Sequence, residues 1–258
     1  MSAITETPPD IYRYGWRDIS TKMPDGTVRT TRMALTLKDC LYPEEGDHMS
    51  NNAEHHDIST YLEGALTQAL VGVAGALVSG DLKFLWGRAG MGNHSPDIAV
   101  TFDVTDPAKP RRSSFNVVEE GVRPTVIFEV VSPNLRENDV GTKLDEYHRL
   151  GIQYYVIVDQ EDEESPRTLS AYRWTPSGYA SLKPDARGWI WIDPVKLWLE
   201  AEEFRVNCYD ADGKRFLGQM ELASLAERET ARADQEKVKV EAMAARIREL
   251  EAKLAAGS

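Results

Sequence analysis

Apolar positions change their spacing along this chain, and each change marks a different element. His55, Ile58, Leu62, Leu66 and Leu70 recur at three- and four-residue steps. That spacing predicts a helix over 52–78, with Asn51 and Asn52 available as caps. The stretches "LKFLW" (82–86) and "SPDIAVTFDV" (95–104) predict two strands, the second opened by Pro96, which a strand start tolerates. A polar loop follows over 105–124. Then "TVIFEVV" (125–131), closed by Ser132-Pro133, reads as a strand buried on both faces. "NLRENDVGTKLDEYHRLG" predicts a helix stopped by Gly151, and "IQYYVIVD" (152–159) a further strand.

Helix, three strands, helix and strand make a compact αβββαβ layer over 51–218, an α/β fold extended by β-hairpins within 168–210. Residues 1–50 read as a lead-in of short strands around "MPDGTV", followed by a loop, "LYPEEGDH". Over 219–258, Val240, Met243, Ile247, Leu250 and Leu254 follow the seam of a coiled coil, so this helix is expected to join copies into a homo-oligomer, a dimer in the simplest case. Upstream the same register falls on Ala226, Glu229, Ala233 and Glu236, a weaker seam.

Charge narrows the functional classes. A net charge of −12 and a pI near 5.0 disfavour non-specific binding to polyanions. A local basic groove stays open, as does a carboxylate cluster whose charge a divalent ion offsets. Cys40 and Cys208 form neither a CxxC pair nor a disulfide framework. The first residues lack a signal-peptide pattern, and the longest apolar stretch, "ALTQALVGVAGALVSG", is too short and interrupted for a membrane span. The expectation is a cytoplasmic protein with no membrane contact.

Glu129 is the anomaly. An ionised carboxylate inside an apolar strand is costly unless something pairs with it. It either holds a structural cation or reaches a metal ion or substrate. Asp97 opens the preceding strand, and Asp139, Lys143 and Tyr147 share one face of the following helix. Carboxylates from neighbouring strands suit Mg²⁺ or Mn²⁺, and a nearby lysine can neutralise charge on a phosphate. A two-carboxylate glycosidase would use paired acids as well, but the element order and the helix lysine fit it poorly. Lys109, Arg111, Arg112 and Arg136 are candidate phosphate contacts from loops.

The order of "PDIAV", "IFEVVSP", "NDVGTKLDEYHRLG" and "IQYYVIVD" resembles the Uma2 family, assigned to the PD-(D/E)XK nuclease superfamily. The lead-in "YGWRDI" and the Ala-rich heptad tail resemble longer members. The resemblance implies a restriction-endonuclease-like core and a Mg²⁺-dependent (or Mn²⁺-dependent) endodeoxyribonuclease acting on DNA. It implies metal ligation by Asp97 and Glu129, with Glu63 as an accessory metal-site acid, and catalysis by Asp97, Glu129 and Lys143. His55 matches a histidine at the start of the first helix. The chain departs from the superfamily pattern at Val131, where the usual residue is lysine; Lys143 is the implied substitute. The alternative is a catalytically degenerate nuclease fold serving as an oligomeric binding or structural module.

Overall fold

The computed structural model describes residues 11–49, 53–109, 112–132, 134–162 and 164–256. They form two units, 1–216 and 217–258. In chain order the first holds Gly15–Lys22 (β1), Val28–Ala34 (β2), Leu37–Leu41 (α1), Asp47–Met49 (β3), Ala53–Ala69 (α2), Leu77–Gly80 (β4) and Lys83–Leu85 (β5). Ile98–Thr101 (β6), Ser114–Asn116 (β7), Val117–Glu120 (α3), Pro124–Val130 (β8), Lys143–Leu150 (α4) and Tyr154–Asp159 (β9) follow. Thr168–Thr175 (β10), Gly178–Ser181 (β11), Ile190–Ile192 (β12), Leu197–Glu202 (β13) and Arg205–Tyr209 (β14) complete it. The second unit is the helix Gln219–Ala256 (α5).

The main sheet has the order β11-β10-β9-β8-β6-β4, and β8 runs parallel to β9 and antiparallel to β6. Strand alternation sorts β8 between two cores. Val126, Phe128 and Val130 meet Ile58, Leu62 and Leu66 of α2 and the inner face of the β12-β13-β14 sheet. Ile127 and Val131 lie on the other side with Phe84, Trp86, Tyr147 and Tyr155. Glu129 shares the parity of Ile127, so it faces α4.

The chain departs from its sequence pattern at several points. α2 stops at Ala69 rather than continuing to Val78. Gly72 and Gly75 follow with φ of +82° and +72°, left-handed values that end a helix cheaply. The residues beyond form β4, which pairs antiparallel with β6 and supplies the first core strand. The expected strand at 82–86 exists as β5 but belongs to a separate two-stranded parallel sheet with β7, because Asp81 (φ +48°) turns the chain out of the main sheet. The polar stretch 105–124 contains β7 and α3, the latter capped by the Asn116 side chain. The lead-in carries α1, closed by a capping box between Thr36 and Asp39. β13 occupies a stretch that the hairpin pattern left between elements. Asn51 and Asn52, the expected caps of α2, lie outside the described residues.

Helix α5 presents Leu222, Leu225, Val238, Val240, Met243, Ile247 and Leu250 to solvent. No helix among the described residues is long and apolar enough to cross a membrane.

Phe128 is fully buried where β8 meets α2. Phe128→Ala is expected to destabilise the chain by about 3–5 kcal/mol in urea unfolding; a loss under about 1 kcal/mol would contradict its place in the core.

Candidate functional site

Register brings the two acids together. Ala99 pairs with Ile127 and Ile98 with Phe128, so Asp97, just before β6, falls beside Glu129 on the same face of the sheet. The Asp97 amide lies 3.4 Å from Glu129 Oε2 and points at it. In return the Val130 amide donates to Asp97 Oδ2 at 2.7 Å. The carboxylates are thus fixed at the end of the sheet where β6 begins and β8 finishes.

The amine comes from α4. The chain after β8 makes a π-helical turn, Asn138–Thr142, that runs directly into α4 at Lys143. That wider turn carries Asp139 and Lys143 inward together. Lys143 Nζ stands 2.7 Å from Asp139 Oδ1 and 2.9 Å from Glu129 Oε2, and all three residues are buried. Tyr147, one turn on, is fully buried and donates its hydroxyl to Glu129 Oε1 at 2.8 Å. From the opposite layer, His55 at the start of α2 brings Nε2 to 3.2 Å from Asp97 Oδ2.

Three carboxylates therefore crowd one ammonium. Burial pushes Glu129 well above its ordinary value, helped by Asp97 and Asp139 and opposed by Lys143. Asp139 is raised for the same first reason, burial. Burial also acts on Asp97, but the His55 hydrogen bond and charge, the charge of Lys143 and the Val130 amide outweigh it and hold Asp97 below its ordinary value. At Lys143 burial works against the charge, and the surrounding carboxylates overcome it, so the ammonium is held above its normal range. Lys143 is therefore charged at neutral pH and is not a general base there.

Two further acids lie at the rim. The Asp81 amide reaches the Asp97 carbonyl at 3.3 Å, and burial of its inner side together with the Asp97 charge raises the Asp81 carboxyl. Glu63 lies against Gly80, where an added Cβ would come within 2.9 Å of its Oε2. Gly80 pairs with Ile98, next to Asp97, so Glu63 lies at the same end of the sheet, with no direct hydrogen bond or ion pair to Asp97, Glu129 or Lys143 among the described residues. Two of the expected loop cations are engaged elsewhere: Arg136 pairs with Asp159 at 2.8 Å, and Arg112 with Glu120. Arg111 lies outside the described residues.

Sequence reasoning missed the brace behind α4. Trp86 Nε1 donates to His94 Nδ1 at 2.9 Å, which leaves the proton on Nε2 to donate to Glu146 Oε2 at 2.7 Å. Tyr42 donates to Glu146 Oε1 at 2.6 Å. Burial and the charge of Lys143 push His94 down to about 4, so it is neutral at physiological pH. The available signal was the position of Glu146, three residues after Lys143 and so neighbouring it on the helix surface.

A hard divalent ion fits this donor set. Asp97 and Glu129 offer oxygen ligands, and negative charge exceeds positive around them. Such ions take one or two carboxylates from a protein and keep several waters, so a two-acid set is sufficient. Among the described residues, no group of three or more His, Cys, Asp or Glu could hold a metal by itself.

Opposed shifts at adjacent acids give a pH signature. A carboxyl raised on folding takes up a proton; its contribution is full below its unfolded value near 4.5 and is lost as pH rises through the folded value. Asp97 has the reverse sign, its contribution present above 3.8 and lost on acidification. As pH rises above the unfolded value near 4.5, Glu129→Gln is expected to lose stability in urea unfolding less steeply than the unmodified chain; parallel slopes would contradict the raised Glu129.

Comparison with known proteins bears on the same segment. No curated protein matches the chain. One solved structure that matches is described as "a putative nuclease belonging to DUF820 from Anabaena variabilis ATCC 29413". It is 17% identical, covers 68% of this chain and 82% of its own, and superposes with a TM-score of 0.42. The model of the Uma2 family, described as "Putative restriction endonuclease", matches residues 47–201, from β3 through β13 and across every residue of the buried cluster. By that match over more than half its length, the chain belongs to the Uma2 family.

Proposed function

We propose that the chain is a divalent-metal-dependent endodeoxyribonuclease that hydrolyses phosphodiester bonds in DNA. The observation that carries this reading is the ammonium of Lys143 held 2.9 Å from Glu129, whose carboxylate also meets the Asp97 amide. Asp97 and Glu129 would hold Mg²⁺ or Mn²⁺. When bound, the ion lowers the pKa of a coordinated water and polarises the scissile phosphate. The chain's own groups do the rest. Lys143, charged throughout the neutral range, faces the negative charge that develops on the phosphoryl oxygens as water attacks. Asp139 keeps that ammonium aimed at the strand ends. Tyr147 fixes one oxygen of Glu129, and His55 fixes one oxygen of Asp97.

Plasmid nicking in Mg²⁺ or Mn²⁺ tests the assignment. Asp97→Ala, Glu129→Ala and Lys143→Ala are each expected to lose at least about 100-fold in rate; nicking by all three at the unmodified rate would remove these residues from the chemistry. Two observations favour a second reading, a non-catalytic binding module: Val131 stands where the superfamily has lysine, and both Glu129 oxygens already accept hydrogen bonds within the protein. Calorimetric heat of Mn²⁺ binding that disappears in Glu129→Ala supports the nuclease. Absence of binding at millimolar ion supports the module.

The exposed apolar seam of α5 supports self-association in the same framework, since such a stripe on a long helix is stabilised by a second copy. Removing residues 221–258 is expected to lower the number of chains per particle, read by light scattering against the mass of the shortened chain, and to leave the α/β unit folded. An unchanged number of chains would contradict the seam.

A further inference from the structure

The β1–β2 hairpin does no work for either core. Seven residue pairs join its strands, from Trp16 with Ala34 to Lys22 with Val28, while β3 pairs only with Gly15, Trp16 and Arg17. Beyond that point the ribbon has two strands, and its residues are exposed on both faces; Ile19, Val28 and Met33 are 42%, 65% and 40% accessible. A two-stranded ribbon in water is marginally stable by itself. This one is nevertheless well specified. The Met23 amide donates to the Thr27 carbonyl at 2.8 Å, Asp25 accepts from the Thr27 amide at 2.9 Å, and Gly26 takes φ +86°.

Its base is tied to the buried cluster. Arg17 pairs with Asp47 at 2.8 Å and with Glu44 at 2.9 Å, which fixes β1 on β3. Three residues after β2, the Leu37 carbonyl accepts from the Asn138 side chain at 2.8 Å, next to Asp139. The free part of the ribbon extends about 15 Å from this anchor at strand rise.

Its chemistry contrasts with the rest of the chain. Residues 15–34 hold four cations, Arg17, Lys22, Arg29 and Arg32, against two anions, Asp18 and Asp25, in a chain of net charge −12. Arg17 and Arg32 are spent on carboxylates within the fold. Lys22 and Arg29 have no carboxylate partner among the described residues. Ser20, Thr21, Thr30 and Thr31 surround them with hydroxyls. A two-stranded ribbon fits the major groove of B-DNA, and Arg, Lys, Ser and Thr are the side chains that contact phosphates and base edges there. Pairing of β2 with its copy is disfavoured because the strand carries arginines and no acid, bringing like charges together.

We propose that the β1–β2 ribbon is the DNA-docking arm of this protein, entering the major groove and delivering the adjacent backbone to the Asp97–Glu129–Lys143 site. The inference rests on the DNA reading of that site and adds the element that grips the duplex.

The test is fluorescence anisotropy of the full chain with a fluorescein-labelled duplex of about 30 base pairs in EDTA, over a range of salt. The double variant Lys22→Ala/Arg29→Ala is expected to bind at least about 10-fold more weakly, with a salt slope smaller by about 2. Lys22→Arg/Arg29→Lys is expected to stay close to the unmodified chain, which ties the loss in the alanine variant to the two charges. Equal affinity and slope in the alanine variant would overturn the proposal, as would no duplex binding by the unmodified chain. A drop in light-scattering mass in the alanine variant would assign the ribbon to self-association instead and overturn it too. Because EDTA prevents metal-dependent cutting, a protein that binds through the ribbon and never nicks plasmid removes the catalytic reading alone. One that nicks plasmid while its binding ignores the ribbon removes this inference alone.

Discussion

An ammonium buried between two carboxylates, with a third close by, is an expensive arrangement for a protein to hold. Desolvating each charge costs several kcal/mol, and well-packed apolar residues of equal volume often do as well or better for stability. The interaction of Lys143 with Glu129 and Asp139 is therefore poorly explained as a device for stability. It makes sense as a site whose excess negative charge is balanced in part by lysine. The rest of the architecture follows from that constraint. Strand register must bring Asp97 to Glu129, the connection after β8 must widen into a π turn, and α4 must start where its first residue can reach back.

Holding α4 so tightly needs contacts on all sides, and the structure supplies them. The Trp86, His94, Glu146 and Tyr42 chain braces one face through hydrogen bonds that engage both Glu146 oxygens and both His94 ring nitrogens. At the other end, the helix carbonyls are met by side chains from two connections and from β10. Arg88 donates to the Arg149 carbonyl, Arg123 to Leu150 at 2.8 Å and Trp174 to His148 at 3.0 Å. Tyr155 fastens the Asp139 carbonyl at 2.8 Å. Polar networks in a low-dielectric core are stabilising when every member is satisfied. Here their effect is positional, fixing where Lys143 begins.

Much of this was legible in the residues. The single acid in "TVIFEVV" marked β8 as unusual, and the spacing of Asp139, Lys143 and Tyr147 put all three on one helix face. Other features depended on partners distant in sequence. Leu77–Gly80 reads as a continuation of α2 because its strand character comes from pairing with β6. The strand at 82–86 looked like a core strand, yet the left-handed Asp81 diverts it to β7. His94 carries no signal in the sequence, since its partners Trp86 and Glu146 meet it only in the folded chain. Glu63 lies on the expected helix against Gly80, whose strand partner Ile98 directly follows Asp97.

The account makes the carboxylate pair, rather than any loop or rim acid, the ion-binding centre. Anomalous diffraction from crystals soaked in Mn²⁺ addresses this most directly. The account predicts a manganese peak at coordination distance, about 2.1–2.3 Å, from oxygens of both Asp97 and Glu129, with Lys143 still within reach of the ion's water shell. A peak confined to Asp81 and Glu63, or none at an ion concentration that supports nicking, would contradict it.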